Sequence, residues 1–167
     1  MTNRPDRQLV GRWGVAVLIG VLVGALAGCG PAATRSDDAN ALGSVSDHLD
    51  DSSSAVATAE LAVRARAAGR LPAVTADVAV GDAAETATGA VHGIGTLVLS
   101  TADAERVRDD ALAAASGAVG PVAAARTWLG GPSSSADDVL RALDDAAGAL
   151  DEASGAVRHV EWARTAP

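Results

Sequence analysis

From Leu42 to Val63 the apolar and small positions recur at Leu42, Val45, Leu49, Ser52, Val56, Ala59 and Val63. That alternation of three and four is the seam of a long amphipathic helix. Asp37 and Asp38 suit a first turn beginning near Ser36, Arg64, Arg66 and Arg70 suit the last, and Pro72 closes it. At about 1.5 Å per residue such a helix is a rod of roughly 50 Å. A second seam runs through Val80, Ala84, Ala87, Val91, Ile94 and Val98. Gly89, Gly93 and Gly95 weaken it, and the pattern predicts helix to about residue 92, then a loose connection. Whether residues 93–100 are helix, strand or loop stays open on pattern alone.

A third helix is predicted from Ser100-Thr101-Ala102-Asp103, a serine with an acid three residues on. It continues through Val107, Ala111, Ala115 and Ala118, is expected to kink or break at Gly120-Pro121, and stops at Gly130-Gly131-Pro132. A fourth begins at Ser133-Ser134-Ser135 with Asp137 and Asp138, its seam Leu140, Leu143, Ala147, Leu150, Ser154 and Val157. The expected fold is all-α: an elongated, antiparallel, alanine-rich bundle of about four helices over residues 36–167.

Composition sharpens that picture. The chain has 167 residues, no Phe or Tyr, and only Trp13, Trp128 and Trp162 as aromatics. Its core must be built from Ala, Val and Leu, so helices must approach closely to bury enough area. All basic residues are arginine. The first 28 residues carry Arg4, Arg7 and Arg12 against Asp6, which leaves ten arginines against twenty acids in the rest. Such a surface is a poor partner for phosphate backbones, so no nucleic-acid partner is expected. Anionic lipid head groups should repel it as well.

The N-terminus follows a different logic. A basic start leads into an apolar stretch, Trp13 to Ala27, and then into Leu26-Ala27-Gly28-Cys29. That order is the one expected of a secretion signal, and the last four residues resemble the bacterial lipobox. The resemblance covers all four positions. It implies diacylglycerol transfer to the Cys29 thiol, cleavage between Gly28 and Cys29 with Leu26, Ala27 and Gly28 as recognition residues, and a mature chain anchored by lipid on the extracytoplasmic face of the cell membrane. Cys29 is the only cysteine, and the apolar stretch is short of the ~20 residues a spanning helix needs. Residues 1–28 are thus read as signal and 29–35 as a lipidated tether, reaching about 20 Å if extended. Two or more acyl chains anchor stably where one does not.

Candidate chemistry is sparse. His48 has Asp47 and Asp51 nearby and His159 has Glu161, but no Glu stands three residues before any of His48, His92 or His159, so the helical di-metal pattern is missing. Adjacent acids such as Asp109-Asp110 and Asp144-Asp145 diverge by about 100° on a helix and read as solvated faces. Hydrolase and phosphate-loop signatures are absent. No catalytic, cofactor-binding or metal residue is assigned and no cofactor is expected. Trp128 and Trp162 lie near helix ends, where each either caps the core or, for Trp162, meets the lipid head groups. The reading is a non-enzymatic lipoprotein that serves as an interaction or envelope-structural module, with a protein partner or self-association through helix faces, including the seams of the first and fourth helices. A small-ligand or solute-binding lipoprotein accessory to transport is the alternative; it would need a concave, partly aromatic pocket.

Overall fold

The computed structural model describes residues 31–131 and 134–165, with side chains over 37–131 and 134–160. Four helices occupy almost all of it: α1 Pro31–Ala67, α2 Ala73–Thr96, α3 Ala102–Gly130 and α4 Ala136–Thr165. No strand occurs among the described residues. The fold class is therefore all-α, as the periodicity predicts. The chain divides into two units, Met1–Ser36 and Asp37–Pro167, and the packing described below belongs to the second.

Short connections make the helices alternate in direction: α2 packs on α3 and α3 on α4, while α1 contributes Leu42, Val45, Leu49, Val56, Ala59 and Val63 to the same buried cluster. The largest fully buried side chains are Leu42, Leu49, Ile94, Leu143 and Leu150; alanine and valine make up most of the rest. The predicted seams of the first and fourth helices thus face inward. They pack into the core of this chain.

Several boundaries differ from the sequence pattern. Helix α1 begins at Pro31 rather than near Ser36, because proline suits the first helical position and Ala32-Ala33 are the best helix formers. The stretch 31–35 is accordingly helical, not an extended tether. Its other end is a Schellman motif: Gly69, at φ 67°, donates to the Arg66 carbonyl (3.0 Å) and Arg70 to that of Ala65 (2.9 Å).

Helix α2 extends to Thr96, one turn beyond expectation. Fully buried Ile94 holds that turn in the core, and the Thr96 hydroxyl donates to the Gly93 carbonyl (2.9 Å). Its buried stripe is Ala76, Val80, Ala83, Ala87, Ala90 and Ile94, so Ala84 and Val91 sit at its margin and Val98 points to solvent.

Pro121 does not interrupt α3, which runs as one helix to Gly130. The missing N–H removes one bond to the Gly117 carbonyl. Buried Ala118, Val122 and Ala125 hold the flanking turns against the core, and that packing outweighs the loss.

Candidate functional site

Two helix starts are built differently from each other. At α4, the Ser135 hydroxyl accepts the Asp138 backbone N–H (3.1 Å) and donates to the Asp138 carboxylate (2.7 Å), a reciprocal cap. Arg141 adds a 2.9 Å bond to the same carboxylate. The Ser135 hydroxyl and then Arg141 hold the Asp138 carboxyl below its ordinary pKa. At α3 the expected Ser100–Asp103 box does not form. Thr101 is the N-cap residue, and its side chain makes no capping bond. Instead Asp38, 1% exposed, reaches over from α1: it accepts the Ser100 N–H (2.7 Å) and the Thr101 hydroxyl (2.7 Å). The sequence pattern places Asp38 only in the first turn of the first helix, with no partner on another helix. One signal was available: Asp38 lies four residues before Leu42, on the seam.

The histidines do not converge. His48 is half-buried, its ring seated on Gly93 of α2 and its Nδ1 3.8 Å from Asp51; His92 and His159 are exposed on different helices. No group of three metal-ligating side chains occurs among the described residues. Asp109, Asp110, Asp144 and Asp145 are all exposed, as a solvated acidic face requires.

Trp128 is half-buried and packs against the core at the end of α3, which matches the core-capping reading for this residue. It borders an open hollow of about 350 Å³ with Arg66, Ala67, Gly69, Leu129 and Gly131. Other hollows run between neighbouring helices: one between α3 and α4, floored by Ala114, Gly117, Pro121 and Ala149, and one between α1 and α2, edged by Ser54, Thr58, Asp82 and Thr86. All open to solvent. Leu26, Ala27, Gly28 and Cys29 lie outside the described residues, as do Trp13 and the side chain of Trp162. No helix among the described residues is long and apolar enough to cross a membrane. No family model, curated protein or solved structure matches this chain.

Proposed function

We propose that this chain is a lipid-anchored extracytoplasmic lipoprotein whose helical bundle acts as a non-enzymatic interaction or envelope-structural module. The observation that carries the reading is the lone cysteine, Cys29, directly after Leu26-Ala27-Gly28 at the end of an apolar run. An unpaired thiol in an exported chain needs an explanation, and acylation there supplies one. The acidic composition adds weight, since charge alone would keep this domain off an anionic bilayer.

The bundle supports the second half of the proposal. Its core is filled by close-packed Ala, Val and Leu side chains, and apart from buried Asp38 most of its charged groups lie on the outer faces. What it offers is surface: four helix faces presented on a closed core.

The test is mass spectrometry of the chain from its native envelope, with metabolic labelling by a palmitate analogue. A mature polypeptide that begins at a multiply acylated Cys29, with label lost in Cys29→Ala, is the expected result. Residues 1–28 still attached to an unmodified thiol would overturn it.

A further inference from the structure

We infer that the hollow at the free ends of α1 and α3 is a saccharide-binding site, with Trp128 as the stacking platform and Arg66 as the polar arm. The inference goes beyond the envelope reading above and stands on the following geometry alone.

The hollow of about 350 Å³ lies at the lower end of small-ligand sites. It lies at the end of α1 remote from Asp37, roughly 45 Å along the helix at about 1.5 Å per residue. Trp128 is the only Trp, Tyr or Phe side chain among those described, and it borders this hollow. Glycines form two of the walls: Gly69 and Gly131 have open space where a Cβ would stand, so the mouth is wide.

Two hydrogen-bond donors meet here without acceptors among the described residues. Neither the Trp128 indole N–H nor the Arg66 guanidinium has a partner among the described residues. Two other arginines are engaged, Arg64 with Glu60 and Arg126 with Asp77. The C-terminal ends of α1 and α3 border the hollow; the Arg66 and Trp128 carbonyls are taken by Gly69 and Gly131, which leaves the Ala67 and Leu129 carbonyls among the lining residues to accept, at the partly negative ends of both helices.

That combination selects a ligand class. An anion would be drawn by Arg66 but repelled by two helix C-termini and by a strongly acidic chain. A purely apolar ligand would leave the donors and carbonyls unmatched. A neutral pyranose satisfies all of them: its C–H face covers the indole, while its hydroxyls accept from Arg66 and donate to the carbonyls. An open hollow also suits a sugar within a longer glycan, which must enter and leave along the surface.

The experiment uses the full-length chain in detergent micelles, labelled with ¹⁵N, titrated separately with N-acetylglucosamine trisaccharide and cellotriose. The expected result is a saturable shift of the Trp128 indole signal with at least one of them, Trp162 staying still. Arg66→Ala, at an exposed position where folding is not at stake, should weaken binding on the order of tenfold. Trp128→Ala should abolish the response, its helical circular dichroism serving as the folding control. The inference is overturned if neither trisaccharide moves the Trp128 signal up to its solubility limit, if Arg66→Ala binds as tightly as the parent, or if sodium benzoate binds there and the sugars do not. None of these readouts depends on Cys29, so an empty hollow leaves the lipoprotein reading intact, and an unlipidated Cys29 leaves the hollow intact.

Discussion

Asp38 and Thr101, 63 residues apart in sequence, are joined side chain to side chain by a 2.7 Å hydrogen bond. The second carboxylate oxygen of Asp38 takes the adjacent Ser100 N–H at the same distance. A residue on α1 therefore pins the two residues that lead into α3, and it does so while buried. Asp38→Ala would leave that N–H without its acceptor and should destabilise the bundle by about 2–3 kcal/mol. Asp38→Asn should cost less, because the amide oxygen still accepts from Ser100 and the Thr101 hydroxyl can turn to accept from the amide. Thermal and urea unfolding of both variants measure the difference; equal losses would contradict the assigned geometry.

Glycine positions on α2 separate two opposite effects. A methyl group at Gly89 meets nothing, so Gly89→Ala should stabilise by roughly 0.5–1 kcal/mol through helix propensity alone. A methyl group at Gly93 would overlap the His48 ring. Gly93→Ala should therefore force that ring outward and cancel or reverse the gain. In the double variant His48→Ala with Gly93→Ala the gain should reappear, so a mutant cycle on unfolding free energies should return a clear coupling.

Ser52 lies on the α1 seam, fully buried, and its hydroxyl has no hydrogen-bond partner among the described residues. Replacing it with alanine removes an unsatisfied polar atom and leaves a residue that favours helix more. Ser52→Ala should raise stability by about 1 kcal/mol, read as a higher urea midpoint. A lower midpoint would mean that the oxygen makes an interaction in solution.

The cap of α4 has a pH signature. The Asp138 carboxyl is held below its ordinary pKa, first by the Ser135 hydroxyl and then by Arg141. A carboxyl lowered in the folded state contributes stability that is fully present above its unfolded pKa, near 3.9. That contribution disappears as pH falls through the lower folded value. Ser135→Ala should move the Asp138 midpoint up, towards the ordinary carboxylate range, in a carbon-detected NMR titration. Since Asp138 is exposed, the first turn of α4 should loosen at acid pH before the bundle as a whole unfolds.

How far the sequence revealed this fold depended on side-chain size. On α1 the seam was legible residue by residue, because Leu42, Leu49, Val56 and Val63 contrast sharply with the Ser and Asp residues between them. On α2 and α3, alanine occupies both the inner and the outer positions, so periodicity marks a helix without marking its face; the margin positions Ala84 and Val107 passed for core. The persistence of α3 through Pro121 could not be read locally, since it depends on packing of Ala118, Val122 and Ala125 against other helices. Asp38 is the same kind of case. Its partners are set by where α3 begins in space, and no spacing in the chain states that. The hollow beside Trp128 was legible only as an aromatic near a helix end; its pairing with Arg66 needed the fold.

Five of the six buried positions on α3, Ala104, Ala111, Ala115, Ala118 and Ala125, are identical methyl groups, with Val122 the sole exception. A ruler with equal marks does not say where zero is: shifting α3 lengthwise by two turns would present its neighbours with nearly the same profile. The carboxylate of Asp38 supplies the zero, because only one axial setting brings it to Ser100 and Thr101. Removing it should therefore do more than lower the melting point; it should let neighbouring alignments of α3 become populated, visible as doubled or broadened backbone resonances along that helix.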